Sequence, residues 1–326
     1  MFTNRRDFLS HSAKASVATA IPFSMSSFVS DKSTYMPAAK RKFSMSLNPF
    51  SIGVSSDISQ QKLNAFAIRY GFESVSVVTK DIMKQSTTQL DLMVAKMKEA
   101  GLHWGVSGLT VEYRKDEATF RKGIAELPAI ASVLNKIGAK RMMTWIMSNH
   151  EQLNYLRNFR QMAVRLSEIA SILNDHNIRL GLEYVGPKSI WSANRFPFIH
   201  TMAETKELIA AIGQPNVGFH LDTAHWFTSG EGISDILSLT NGEVIGCDLN
   251  DAIAGISWED QPGYQRELPA ATGVIDIKGF LNALIKIEYD GPIQAEPFND
   301  RLNNLDDESA IKSTAEAMKK AFALNS

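Results

Sequence analysis

From residue 43 onward, short β-branched or apolar segments alternate with longer amphipathic segments, and this alternation restricts the possible fold more than any other feature. The predicted strands occupy residues 43–47, 73–78, 103–109, 141–147, 178–184, 217–222, 244–249 and 292–296. The predicted helices occupy residues 58–70, 87–100, 116–137, 151–176, 201–212, 231–239, 276–287 and 306–323. Eight strand-helix pairs in succession are typical of a closed parallel (β/α)8 barrel, the TIM barrel. The sequence therefore predicts an α/β fold with one TIM-barrel domain over residues 43–326.

The composition is that of an ordinary globular protein and restricts the partners. The chain has 326 residues, 44% hydrophobic and 21% charged, with a formal net charge of −1. It has no basic stripe or polylysine run, so we expect no nucleic-acid partner. Its one cysteine, Cys247, excludes an intrachain disulfide and a cysteine-based zinc site, and we expect this residue to be buried. The sequence leaves the oligomeric state open, with a homo-oligomer among the alternatives.

The N-terminus differs from the rest of the chain. Arg5 and Arg6 stand in the sequence Asn-Arg-Arg-Asp-Phe-Leu, and a weakly apolar segment follows over residues 13–23. This pattern is typical of a twin-arginine export signal, and the alternative is a disordered basic tail. The apolar segment is too short and too rich in Ser and Ala for stable membrane insertion. We expect a signal peptide over residues 1–30, a linker over 31–42, and an exported, periplasmic protein.

Four predicted strands in the C-terminal half each end in one carboxylate: Glu183, Asp222, Asp248 and Glu296. An acid inside an apolar strand is costly unless positive charge meets it. In a parallel barrel the carboxyl ends of all strands lie on one face, so these acids are expected to converge. Converging carboxylates repel one another unless a divalent metal neutralises them. The sequence therefore predicts a metal site.

The motifs around these acids resemble those of a known family. They read Gly-Leu-Glu183-Tyr-Val-Gly-Pro, Leu-Asp222-Thr-Ala-His225-Trp, Asp248-Leu-Asn-Asp251-Ala, Arg266-Glu-Leu-Pro and Tyr-Asp-Gly-Pro-Ile-Gln-Ala-Glu296-Pro-Phe. In this order and spacing, from about residue 43 to 323, the chain resembles the xylose isomerase-like TIM barrels of the sugar phosphate isomerase/epimerase family. The resemblance implies an isomerase or epimerase that uses one divalent metal and acts on a small carbohydrate.

The resemblance also implies individual roles. It assigns Glu183, Asp222 and Glu296 as metal ligands and the two glutamates as catalytic proton carriers. The fourth ligand of the family is a histidine, and Asp248 stands at that position here. An all-oxygen ligand set favours Mn²⁺ or Mg²⁺ over Zn²⁺. Asp248 is therefore expected either to bind the metal or to act as a base or a substrate contact.

The chemistry implied by these positions is proton transfer next to a carbonyl group. A metal-bound carbonyl and hydroxyl acidify the C–H bond between them, which gives an ene-diolate once a glutamate removes the proton. Proton return to the opposite face is epimerisation, and return to the neighbouring carbon is isomerisation. Loss of a β-hydroxyl would instead make the protein a lyase or dehydratase acting on keto-sugars, glycosides or inositol derivatives. A third alternative is a non-catalytic sugar-binding barrel.

Four further residues are candidates for substrate binding. His225 and Arg266 resemble the family's substrate contacts. Trp191 and Trp226 are expected to form flat aromatic walls for a sugar ring, with an apolar plug as the alternative for each. His220 lies on the face of its strand that carries Asp222, one layer deeper, and is expected to be a hydrogen-bonded core histidine, with a ligand as the alternative.

Overall fold

The computed structural model describes residues 40–325, so the predicted signal peptide and most of the predicted linker lie outside the described residues. Eight parallel strands close into a barrel in the order β1-β10-β9-β8-β6-β4-β3-β2. These strands are β1 (Ser44–Leu47), β2 (Ser74–Val77), β3 (His103–Gly108), β4 (Arg141–Trp145), β6 (Arg179–Glu183), β8 (Val217–Asp222), β9 (Val244–Leu249) and β10 (Pro292–Ala295). The predicted TIM barrel is therefore confirmed. Two further strands, β5 (Asn149–His150) and β7 (Phe196–Pro197), pair antiparallel outside the barrel.

Helices follow the barrel strands. They are α1 (Gln60–Tyr70), α2 (Thr79–Ile82), α3 (Thr87–Glu99), α4 (Glu117–Ile137), α5 (Tyr155–Asp175), α6 (Lys188–Trp191), α7 (Met202–Ile212), α8 (Thr223–Thr228), α9 (Ile233–Leu237), α10 (Ile277–Lys286), α11 (Asp300–Asn303) and α12 (Asp307–Ala323). Side-chain caps define several of their starts, as where the Asp116 carboxylate accepts from the backbone N–H of Thr119. Glycines in the left-handed conformation end others, as at Gly71 and Gly138.

The differences from the predicted elements are small and lie on one face of the barrel. The eight strands agree with prediction to within two residues at each end, whereas α2, α6, α8 and α11 were not predicted. All four short helices follow the carboxyl ends of strands. A single turn of helix contains too few residues for a periodic apolar pattern, and tertiary packing forms it instead.

The core is the barrel interior together with the layer between the strands and the outer helices. The apolar side chains of this layer, such as Leu166, Leu182 and Phe280, are fully buried. Cys247 is also fully buried on β9, as expected. Across residues 40–325, none of the helices has the length and the apolar character that crossing a membrane requires.

Candidate active site

The four predicted acids converge at the carboxyl-end face of the barrel. One carboxylate oxygen from each of Glu183, Asp222, Asp248 and Glu296 lies within 4.8 Å of the others. Asp222 and Asp248 are direct register partners on β8 and β9, so the two side chains stand side by side. The convergence that the strand ends predicted is therefore present, and we name these four residues the acid cluster.

Arg266, from the loop after β9, enters the acid cluster and supplies positive charge. Its Nη1 lies 2.8 Å from Oδ2 of Asp222 and 3.3 Å from Oε2 of Glu296. The arginine is 4% exposed, and its guanidinium lies over the ring of Phe298. Phe298 has a φ of 44°, an uncommon left-handed conformation for a bulky residue that places the ring there.

The carboxylate oxygens of the four acids differ in the hydrogen bonds that they accept. Asp222 accepts hydrogen bonds on both oxygens, from the backbone N–H of His225 and from the side chains of Asn250 and Arg266. Oε1 of Glu183 and both oxygens of Asp248 are buried and have no hydrogen-bond partner among residues 40–325. Buried carboxylate oxygens are rarely left unpaired. A divalent cation is the group that such donors fit, so this donor set supports a metal site.

The electrostatics of the acid cluster hold its members in different protonation states. Burial, together with the three neighbouring carboxylates, raises the pKa of Glu183 well above its usual value. Burial and the charge of Asp248 raise the pKa of Glu296 in the same way. Burial also opposes ionisation of Asp222, but Arg266, His225 and backbone N–H groups together outweigh it, and the pKa of Asp222 is lowered. The structure therefore has two glutamates suited to carry protons and one aspartate that stays ionised.

His225 is a neutral hydrogen-bonding group. Burial, assisted by the charge of Arg266, lowers the pKa of His225 to about 3. The Nη2 of Arg266 lies 3.0 Å from Nε2 of His225. Arginine can only donate, so Nε2 accepts and Nδ1 carries the proton. His225 Nε2 is also 3.9 Å from Oε1 of Glu183, which places the imidazole at the edge of the acid cluster.

Asp248 has a close neighbour that its sequence position did not predict. His220 Nε2 lies 3.0 Å from Oδ2 of Asp248, and both side chains are fully buried. The two atoms are not aligned as a hydrogen bond, and neither has another partner among the described residues. Gly246 makes room for this histidine, because a Cβ there would come within 2.5 Å of His220 Nδ1. His220 is thus a buried core histidine as predicted, but the expected hydrogen bond is not present.

Two supporting residues escaped the sequence reasoning. The amide of Asn250 donates to Asp222 and accepts from the backbone N–H of Glu296. Ser51, from the loop after β1, donates to Oε1 of Glu296. Asn250 is two residues after Asp248 and therefore on the same face, which was an available signal. The sequence position of Ser51 gave no such signal, because only closure of the barrel brings β1 beside β10.

The structure places the two predicted tryptophans outside the acid cluster. Trp226 is 5% exposed, donates from its indole N–H to the carbonyl of Gly232, and packs edge-on against Phe280. It is therefore a core residue of the outer layer, and this location does not support a substrate contact. Trp191, at the end of α6, stacks on the imidazole of His200 with ring centroids 4.8 Å apart.

The barrel and its acid cluster define a class: single-domain (β/α)8 proteins with a buried acidic site at the strand ends. The chain belongs to the xylose isomerase-like TIM barrel family, whose sequence pattern matches residues 65–321.

Three relatives are informative. An inosose isomerase from Halalkalibacterium halodurans is 22% identical over 220 residues, which is 64% of this chain and 73% of that protein. A ketose 3-epimerase from Arthrobacter globiformis is 25% identical over 252 residues, which is 72% of this chain and 79% of that protein. The crystal structure of the IOLI protein with a binding zinc atom superposes with a TM-score of 0.70 at 16% identity, over 86% of this chain and 98% of that one. The first two relatives are thus an isomerase of inosose and an epimerase of ketoses by name.

Proposed function

We propose that the protein is a divalent-metal-dependent sugar isomerase or epimerase. The observation that carries the proposal is the acid cluster, in which Glu183 ends β6 and Glu296 directly follows β10, the outermost of the four adjacent strands that carry the cluster. A carboxylate next to a bound substrate can take a proton from carbon and return it. The cluster offers two such glutamates. The isomerase and epimerase relatives support this reaction type.

The metal would be held by the four acids of the cluster, with Asp248 at the fourth position. When bound, it would supply the positive charge that polarises a substrate carbonyl and acidifies the neighbouring C–H. We propose Mn²⁺ or Mg²⁺ because the four side chains offer only oxygen donors. His220, two residues before Asp222 on β8, offers a nitrogen ligand 3.0 Å from Oδ2 of Asp248 and forms a second candidate ligand group with Asp248 and Glu183.

The protein's own side chains transfer the proton and bind the substrate. One glutamate removes the proton from carbon, and either glutamate returns it to the opposite face or to the adjacent carbon. Arg266 and the neutral His225 lie against the cluster and bind and orient the substrate oxygens. His225 offers its Nδ1 proton as a donor, because Nε2 is occupied by Arg266.

Solvent-exchange experiments test the reaction type. The metal-loaded protein is incubated in D₂O with a panel of ketoses, aldoses and inososes, and deuterium on carbon is followed by NMR. We expect deuterium in the substrate and in an epimer or isomer. A product with a new C=C bond and loss of water would instead identify a dehydratase. Binding without any exchange would identify a sugar-binding barrel.

Variants of the two glutamates complete the test. Glu183→Gln and Glu296→Gln keep the shape of the site but remove a proton carrier. Each is expected to lower turnover by at least about 10²-fold while the protein still unfolds cooperatively. Near-normal exchange in either variant would contradict the assignment.

We also propose that residues 1–30 direct export and that the folded barrel acts outside the cytoplasm. The support is the pair Arg5–Arg6 followed by a short, weakly apolar segment.

A further inference from the structure

A second pocket opens on the face of the barrel that carries the acid cluster. It has a volume of about 430 Å³, and its lining comes from the loops after β3, β4 and β6 and from α5. Trp145 lines this pocket and is the register partner of Glu183 on the neighbouring strand. Paired residues of parallel strands point to the same side of a sheet, so the tryptophan stands directly beside the proposed proton carrier. The pocket therefore lies next to the acid cluster, and we name it the Trp145 pocket.

The indole of Trp145 is held as a fixed wall of this pocket. Its side chain is 37% exposed even though the guanidinium of Arg114 lies 4.2 Å from its ring centroid. Glu112 holds Arg114 through two hydrogen bonds, of 2.8 and 3.0 Å. The carbonyl of Trp145 accepts from both Arg114 and the hydroxyl of Tyr113. An exposed aromatic ring that is fixed on both its backbone and its side chain is suited to stack against the apolar face of a sugar ring.

Polar groups also line this space. Asn158, on α5, lines the pocket and is 3% exposed, so its amide offers both a donor and an acceptor at the wall. His150 also lines the pocket, and its Nδ1 accepts from the backbone N–H groups of Gln152 and Leu153. The proton of His150 therefore lies on Nε2, which leaves a fixed donor.

The charge of the lining favours a neutral ligand. Two acids, Glu112 and Glu151, and two bases, Arg114 and Lys115, line the pocket. Arg114 is already paired with Glu112. A phosphate site would instead concentrate unpaired positive charge. A neutral, hydroxyl-rich ring is bound by an aromatic stacking surface, by amide and imidazole hydrogen-bonding groups, and by a lining of balanced charge.

We infer that the Trp145 pocket binds a second, neutral sugar ring, so that the substrate is a two-ring glycoside or disaccharide with its reacting ring at the acid cluster. The inference rests on the proposed function for the identity of the reacting ring. The volume lies within the range of small-molecule sites. The proposed substrate class is thus narrowed from sugars in general to glycosides.

Binding measurements test the pocket without reference to turnover. The metal-loaded protein is titrated calorimetrically with glucose and with disaccharides of different linkage, including cellobiose, maltose and trehalose. We expect at least one disaccharide to bind about tenfold or more tightly than glucose, and Trp145→Ala to remove about tenfold of that affinity. Trp145→Phe should restore most of it, and Asn158→Ala should weaken disaccharide binding several-fold.

Trp258→Ala is the matched control, because Trp258 is 44% exposed and does not line the pocket. Equal losses in Trp145→Ala and Trp258→Ala, or equal affinities for glucose and every disaccharide, would overturn the inference. So would tighter binding of glucose 6-phosphate than of any disaccharide, with the same dependence on Trp145.

Deuterium exchange separates this inference from the proposed function. If disaccharides bind as expected but no sugar exchanges deuterium, the proposed function fails and the pocket assignment stands. If exchange occurs on single-ring sugars with the same KM as on disaccharides, the proposed function stands and the second ring is refuted.

Discussion

Metal binding should release two protons, and this number follows from the protonation states of the acid cluster. In the metal-free protein, burial and the neighbouring carboxylates raise the pKa values of Glu183 and Glu296 well above their usual value, which favours the protonated form of both. The pKa of Asp222 is lowered, so this residue is already ionised. A carboxyl group must lose its proton to bind a cation. Each of the two glutamates therefore gives up one proton when the metal binds.

The sign and the size of the pH effect follow directly. Protons compete with the metal for the two glutamates, so the apparent affinity rises as the pH rises. With two protons released, it rises by up to about a hundredfold per pH unit until the pH exceeds their pKa values. Above those values the dependence levels off. Because Asp222 stays ionised throughout, it contributes nothing to the slope above pH 5.

Calorimetry measures this number directly. Titration of Mn²⁺ in buffers of different ionisation enthalpy at pH 6.0, 6.5 and 7.0 gives the protons released per metal. We expect about two for the unaltered protein and about one for Glu183→Gln or Glu296→Gln. Glu231→Gln is the control, since burial raises the pKa of Glu231 to about 7 in a position outside the acid cluster. This variant should still release two protons on metal binding.

The reasoning would be refuted by metal binding that releases no protons at any of the three pH values. It would also be refuted by the same proton count in Glu183→Gln as in the unaltered protein. Either result would mean that the two glutamates are ionised before the metal arrives or do not contact it.

Three further predictions address the fourth ligand, stability and export. Asp248→Ala should weaken metal binding, and Asp248→His should retain a metal but shift preference toward Co²⁺ or Zn²⁺; unchanged affinity with lost turnover would make Asp248 a base or a substrate contact. The pKa of Glu231 is about 7 in the folded state and 4.5 in the unfolded state, so the folded state holds this proton more tightly. The free energy of unfolding therefore falls by up to about 3 kcal/mol as the pH rises from 4.5 to 7. Glu231→Gln should remove that part of the pH dependence in urea denaturation, and an unchanged profile would exclude Glu231 as its source. Changing Arg5 and Arg6 to Lys should retain the protein in the cytoplasm, and normal fractionation would identify the segment as a plain tail.

The barrel itself was predictable from the sequence. Its strands are short apolar segments and its main helices are long amphipathic ones, and both patterns are local properties of the chain. The four acids were predictable as a cluster for the same reason. Each stands at the carboxyl end of a strand, as Glu183 and Asp222 do, and a parallel barrel brings all such ends to one face.

Only the tertiary structure decided which side chains share the site. The contact between His220 and Asp248 joins two strands, and Ser51 reaches Glu296 across the closure of the barrel. Trp226 and Trp145 both follow or end strands in the sequence, yet one packs against the outer helices and the other lines a pocket. A position at a strand end fixes the face of the barrel on which a residue lies. The direction and the neighbours of its side chain depend on packing between segments far apart in the chain. Local sequence pattern does not contain that information.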